Sequence, residues 1–183
     1  MERELKISHA NPNLEQVYLV GVRLLEGSAT PDYFSLVLYY EAARNDGNRP
    51  LVHQGKIVFF KHAGAADRVL RLGDVAFRKY APFKGELSIK YDVPEVLRLI
   101  RDGDRDAGGI IVTFLNELLD FLAASKDSPS EDARLLLAGL ADHVTFHQDL
   151  DDYFGMRRGL RRETLDAILW AIGSVVASSA VID

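Results

Sequence analysis

The 183-residue sequence contains no cysteine. Disulfide bonds, thiolate zinc sites and cysteine nucleophiles are therefore excluded. The sequence also lacks the glycine-rich motifs that bind phosphate and the Gly-x-Ser-x-Gly motif of serine hydrolases, so no standard nucleotide or acyl-transfer site is indicated. The first 13 residues are charged and have no apolar segment of the kind found in signal peptides. Together these absences lead us to expect a cytoplasmic protein.

The net charge of −5 is small and unevenly distributed. Residues 1–92 carry 13 Lys and Arg against 11 Asp and Glu, a balance of +2, whereas residues 93–183 carry 9 against 16, a balance of −7. Neither half has the strongly basic composition typical of nucleic-acid-binding proteins. We therefore expect no nucleic-acid partner.

Long apolar runs are missing as well. The uncharged stretch 167–182 has 16 residues and includes Gly173 and Ser174. A helix needs roughly 20 apolar residues to span a bilayer, so this stretch is short for that role. Small residues also allow helices to pack closely within a bundle. We expect a buried helix here and no membrane partner.

The first half of the chain has the composition of a β-sheet. Eleven of the sixteen Phe and Tyr residues lie there, and β-branched and aromatic residues favour strands. The pattern predicts strands at 15–25, 33–42, 51–61, 74–79 and 86–91. The Asp46-Gly47 pair predicts a hairpin turn between the second and third of them. Residues 62–73 fit a short helix or a strand, and a helix is preferred.

The second half has helical periodicity. Asp92 is a suitable N-cap for a helix ending near Arg101, and a wide apolar face predicts a central helix over 106–125. A third helix begins after Ser128, and a last helix covers 162–178. The third is expected to bury Leu135, Leu136, Ala138 and Leu140, and the last to bury Leu165, Ile168, Leu169, Ile172 and Val176.

These patterns predict an α+β fold. An N-terminal antiparallel sheet of about five strands (1–92) would pack against a C-terminal group of about four α-helices (93–183). The whole chain is expected to form a single domain, with the change of composition near residues 92–94 as its internal boundary.

Two histidines have the spacing of metal ligands. His143 and His147 are four residues apart and share one face of a helix, and Asp149, Asp151 or Asp152 could supply a third ligand. Such a site could hold a divalent metal ion and activate water for hydrolysis. The alternative is a pair of half-exposed histidines near a helix end, where a positive imidazolium is favoured by the helix dipole.

Four arginines form the main basic cluster of the second half. Arg157, Arg158, Arg161 and Arg162 could bind an anion, because guanidinium groups match phosphate oxygens. Acidic residues lie close by in sequence, so a local network of ion pairs is the alternative.

The aromatic residues of the sheet suggest an interaction surface. Neighbouring aromatics at 33–34, 39–40 and 59–60 place rings on both faces of the sheet. Tyr33, Tyr39 and Phe59 would belong to the second face, which is either an exposed partner surface or covered by the chain's own helices.

No motif identifies a reaction. We therefore expect a binding or interaction module that self-associates through the aromatic sheet or the C-terminal helix, with a second copy or another protein as partner. The alternative is a metal-dependent hydrolase that uses His143 and His147 with Asp149 or Asp152.

Overall fold

The computed structural model describes most of the chain: residues 14–40, 47–72, 89–103, 107–125, 131–147 and 149–183. The chain divides into two compact units. One comprises Met1–Tyr91 together with Ser179–Asp183, and the other comprises Asp92–Ser178. This division falls where the composition of the sequence changes.

A mixed sheet and one helix form the described part of the first unit. Their bounds are β1 (Leu14–Arg23), β2 (Tyr33–Tyr40), β3 (Gly47–Pro50), β4 (Val52–His53), β5 (Lys56–Phe60), α1 (Ala63–Leu72), β6 (Ile89–Asp92) and β7 (Ser179–Ile182). The main path of the sheet runs β4-β5-β2-β1-β6, with β3 paired to β2 and β7 paired to β5. The predicted strand at 74–79 and the turn residue Asp46 lie outside the described residues.

Five helices form the described part of the second unit. They are α2 (Val93–Asp102), α3 (Gly108–Ala124), α4 (Glu131–His147), α5 (Leu150–Gly155) and α6 (Leu160–Ala177). The N-terminal sheet and the C-terminal helices confirm the predicted α+β class. No described helix has the length and apolar content needed to cross a membrane.

The antiparallel pairing predicted for the sheet holds for most of it. β1 and β2 are antiparallel, with Leu19 opposite Leu36. The predicted strand at 51–61 is divided in two by a tight turn, in which Gln54 and Gly55 have φ angles of 50° and 73°. Two central residues with positive φ are typical of a type I′ hairpin turn. The resulting β4 and β5 pair through Val52 and Ile57.

The strand β7 is the exception to the antiparallel prediction. It runs parallel to β5, with Ile57 opposite Ser179 and Phe60 opposite Ile182. Parallel strands need a long connection between them, and here the whole helical unit lies between the two strands in sequence. Beside this pair, the Lys61 Nζ lies 2.7 Å from the Asp183 carboxylate. A four-residue apolar segment after a long helix gives no periodic signal of a strand, so it was not predicted.

The helix α1 covers one face of the sheet. Its residues Ala65, Ala66, Val69 and Leu70 belong to the same buried cluster as Leu19, Leu36, Leu38, Val58 and Phe60 of the strands. The preferred helical interpretation of residues 62–73 is therefore confirmed. On the opposite face, Val20, Val37 and Ile57 are buried as well.

The predicted central helix is α3. It contacts α2, α4 and α6, and it buries Ile111, Phe114, Leu115, Leu118 and Leu122. The N-cap of α2 is also confirmed, because the Asp92 carboxylate accepts a hydrogen bond from the Glu95 backbone N–H at 3.2 Å. The helix start at Ser128 lies outside the described residues.

Two of the C-terminal helices, α4 and α6, bury a set of residues that differs in part from the predicted one. In α4 the prediction that Leu135 is buried is wrong, because this side chain is exposed and Leu137 is buried in its place. In α6 the buried residues are Leu160, Thr164, Ala167, Ile168, Ala171 and Val175. Leu169 and Val176, which were expected to be buried, are exposed. The small side chains at 167 and 171 allow this face to approach its neighbours closely.

Candidate functional site

The two histidines of the predicted metal site are neighbours at the C-terminal end of α4. Their ring centroids are 4.8 Å apart, and the His143 ring also lies 5.1 Å from the Tyr153 ring. The Nε2 atom of His143 lies 3.0 Å from the Asp149 backbone oxygen. Since a carbonyl oxygen only accepts, Nε2 is the donor and is not available to a metal in this arrangement.

Asp149, one of the aspartates proposed as a further ligand, has structural contacts of its own. The Asp149 Oδ1 accepts hydrogen bonds from the backbone N–H groups of Asp151 and Asp152, so Asp149 is the N-cap of α5. Among the described residues, no group of three or more His, Asp and Glu side chains could hold a metal ion. The metal site therefore stays a prediction without a described set of ligands.

The arginine cluster lies beside these residues and is largely engaged with acidic groups. Arg157 makes two hydrogen bonds to the carboxylate of Glu163. Arg161 donates to the Asp151 carboxylate at 3.0 Å, and its guanidinium carbon lies 5.0 Å from the centre of the Phe154 ring.

The other two arginines are exposed. Arg162 lies 3.8 Å from the Asp166 carboxylate, and Arg158 is on the surface. The geometry of the four arginines resembles the predicted network of local ion pairs. A converging anion site stays a prediction.

Two of the three aromatic residues assigned to the second sheet face are in contact, and all three are little exposed. The Tyr33 and Phe59 rings pack edge to face with centroids 6.4 Å apart. Phe59 is buried, and Tyr33 and Tyr39 are half-buried. These three side chains do not present an exposed aromatic patch, and an interaction surface at this place stays a prediction.

The outer face of α6 is apolar and exposed. Leu169, Trp170 and Val176 expose 54%, 47% and 55% of their surface. Gly173 lies on the same face, and a Cβ atom added there would meet no atom within 4 Å. Because 167–182 contains no charged residue, this face lacks the polar residues that normally cover the solvent side of a helix. We call Leu169, Trp170, Gly173 and Val176 the outer face of α6.

A groove opens between α4 and α6 beside this face. Its volume is about 630 Å³, and its lining residues are Asp132, Ala133, Leu136, Arg157, Glu163, Asp166, Ala167 and Trp170. The floor is apolar and the charged groups form the rim. We call it the α4–α6 groove. Trp170 belongs both to the groove and to the outer face of α6.

One carboxylate of the second unit has a perturbed acidity. Partial burial on α3 raises the pKa of Asp120 from its ordinary value of 3.8 to about 6. Perturbed carboxylates are frequent at functional sites, but they also occur in structural positions. Burial of Tyr153 likewise raises the pKa of its hydroxyl, and the charge of Arg157 opposes that shift.

The sequence did not identify the groove residues Leu136, Asp132 and Trp170 as a site. The available signal was the single tryptophan within the uncharged stretch 167–182, which was expected to form a buried helix without a role for Trp170. The chain matches no protein-family model, and no curated protein or solved structure shows significant similarity to it.

Proposed function

We propose that this chain is a protein-interaction module that self-associates through the outer face of α6. The observation that carries the proposal is the exposure of Leu169, Trp170 and Val176 in a stretch without charge. Contiguous exposed apolar residues are unfavourable in water and usually mark an interaction site. Tryptophan is also among the residues that contribute most to protein interfaces.

A second copy of the chain is the partner that suits this face. Charged groups are absent from it, so two identical faces can meet without like-charge repulsion and without the cost of burying an ion. Most homo-oligomers are two-fold symmetric dimers, in which the same patch is used on both subunits. A helix packed on its own copy has this geometry.

Gly173 supports close contact at the centre of the face. It lies between Trp170 and Val176 along the helix, and its open surroundings leave space for a partner's backbone. Packed helices are separated by about 8–10 Å, and small residues at the crossing point give the shorter distances. The proposal therefore places the crossing near Gly173.

Molar mass and tryptophan fluorescence test the proposal together. We expect the mass from light scattering to rise from monomer to dimer over a hundredfold range of concentration. Because Trp170 is the only tryptophan, its emission reports on this face and on the adjoining groove, and it should shift to shorter wavelength over the same range.

Matched variants locate the interface. Leu169→Glu introduces a charge on the outer face and should keep the protein monomeric. Phe146→Glu makes the same kind of change at an exposed residue of α4 and should leave the dimer intact. A wild-type protein that stays monomeric at every concentration would overturn the proposal, as would equal effects of the two variants.

A further inference from the structure

We infer that the α4–α6 groove binds an amphipathic helix of a partner protein whose apolar anchors are flanked by Lys and Arg. This inference goes beyond self-association and concerns a neighbouring surface. Only Trp170 is common to the two sites, so either of them can be tested when the other fails.

The shape of the groove suits side chains presented by a helix. Ala133 and Leu136 on α4 face Ala167 and Trp170 on α6 across an open volume of about 630 Å³. Such a volume lies within the range of roughly 300–1,000 Å³ of ligand-binding clefts. Laying the apolar face of a helix into an apolar groove is a recurrent mode of peptide recognition.

The charges at the rim select a basic partner. Arg157 is the one cation among the lining residues, and its guanidinium is engaged with the carboxylate of Glu163 through two hydrogen bonds. Asp132 is exposed in the first turn of α4. Asp166 is 69% exposed and lies 3.8 Å from Arg162, which is 89% exposed.

An ion pair as exposed as Arg162 with Asp166 contributes little free energy, so Asp166 can exchange this partner for another cation. The rim therefore presents two carboxylates beside an apolar floor. The surplus of acidic residues over 93–183, 16 against 9, adds a long-range attraction for basic segments. An acidic or neutral apolar helix would fit the floor but would gain nothing from the rim.

Fluorescence anisotropy with synthetic peptides tests this inference. The probe is a fluorescein-labelled amphipathic helix built only from Leu and Lys, and the control peptide has Glu in place of every Lys. We expect the Leu/Lys peptide to bind, with an affinity that falls as salt is added, and the Leu/Glu peptide not to bind. The 183-residue chain is used throughout.

Two double variants separate the groove from general charge attraction. Asp132→Asn with Asp166→Asn should weaken binding of the Leu/Lys peptide by about five- to tenfold, as expected for the loss of two exposed ion pairs. Asp142→Asn with Asp152→Asn removes the same charge from exposed positions outside the groove. It should change the affinity by less than about twofold.

Two further variants test the floor and the independence from self-association. Trp170→Ala should weaken binding of the Leu/Lys peptide by about tenfold or more, since an aromatic anchor is lost. Its circular dichroism melting curve serves to show that the fold is retained. Leu169→Glu leaves the groove lining unchanged and should still bind the Leu/Lys peptide, whether or not the wild type dimerises.

Three results would overturn the inference. One is failure of the Leu/Lys peptide to bind, and another is equal binding of the Leu/Glu peptide. The third is an equal loss of affinity in the two double variants, which would show attraction by net charge alone.

Discussion

The two halves of α6 differ in the side chains that they expose. Before and within its first half, charged side chains are abundant, and they engage one another: Arg157 with Glu163, Arg161 with Asp151 and Arg162 with Asp166. In the second half no charge is present and Trp170 is left exposed. The charged side chains find ion-pair partners within the chain. The exposed apolar side chains have no such partners, and burying them requires contact with another molecule.

The largest expected change in stability distinguishes the buried face from the exposed face in the uncharged half of α6. Ile168 and Leu169 are adjacent, but Ile168 is fully buried and Leu169 is 54% exposed. Ile168→Ala should lower the free energy of unfolding by about 2–5 kcal/mol, because it leaves a cavity. Leu169→Ala should change it by no more than about 0.5 kcal/mol. Urea denaturation at low protein concentration measures both, and equal losses would remove the distinction between the faces.

Replacing glycine by alanine should change the free energy of unfolding in opposite directions at two positions. Gly103 lies beside the charged cluster and Gly173 lies in the uncharged half of α6. Gly103 has φ of 70°, and a Cβ atom there would lie 3.0 Å from the Asp151 Oδ1 and 3.2 Å from the Arg161 Nη2. Gly103→Ala should therefore destabilise the protein by about 1–2 kcal/mol. Gly173 lies in a helix with open surroundings, so Gly173→Ala should stabilise the monomer by about 0.5–1 kcal/mol. Thermal unfolding of the two variants at one dilute concentration decides whether the signs differ.

The carboxylate of Asp120 differs from those of the ion pairs, because burial and not a neighbouring cation shifts its pKa. Its folded pKa of about 6 is above the ordinary 3.8, so the folded state binds the proton more tightly than the unfolded state. The stability that the protonated Asp120 contributes is fully present below about pH 4 and is lost as the pH rises through about 6.

Asp120→Asn should remove that dependence. The side chain is only partly buried, so solvent screening reduces the effect, and we expect the variant to gain about 1 kcal/mol at pH 7 and nothing at pH 4. The difference in unfolding free energy between wild type and variant, measured by urea denaturation across this range, checks the sign. A gain that is the same at both pH values would contradict the assignment to ionisation of Asp120.

The smallest expected effect concerns the histidines. A metal bound at its site at 100 times its Kd would raise the Tm by roughly 5–10 °C. Because no group of three or more His, Asp and Glu side chains among the described residues could hold a metal ion, we expect Zn²⁺, Mn²⁺, Mg²⁺ and Ca²⁺ to cause no such shift in chelator-treated protein. A rise with Zn²⁺ that disappears in His143→Ala would place the alternative, a metal-dependent hydrolase, ahead of the interaction module.

Local sequence signals predicted the elements more reliably than their orientation. The N-cap at Asp92, the central helix α3 and the sheet-forming first half each depend on residues near in sequence, and each is confirmed. Which side of α6 is buried depends instead on its packing against other elements. Ile168 and Leu169 are equally apolar, so periodicity alone could not decide which of them points to the core.

The groove and the seventh strand could not be predicted for a related reason. The groove exists only because Leu136 and Trp170, 34 positions apart in the sequence, come from two helices that lie side by side. The strand β7 is recognisable only through its pairing with β5. Both depend on contacts between distant residues, which single-sequence patterns do not contain.

The pairing of β7 with β5 has a consequence during synthesis. About 120 residues separate Phe60 from Ser179, so at ribosomal rates β5 emerges roughly 6–24 s before its parallel neighbour. During this interval the β5 edge that later receives β7 has no such partner, and the apolar residues Ile57, Val58 and Phe59 lie along it. Unpaired apolar strand edges promote association with other chains. The nascent protein therefore passes through a period of vulnerability to aggregation that ends when β7 pairs with β5.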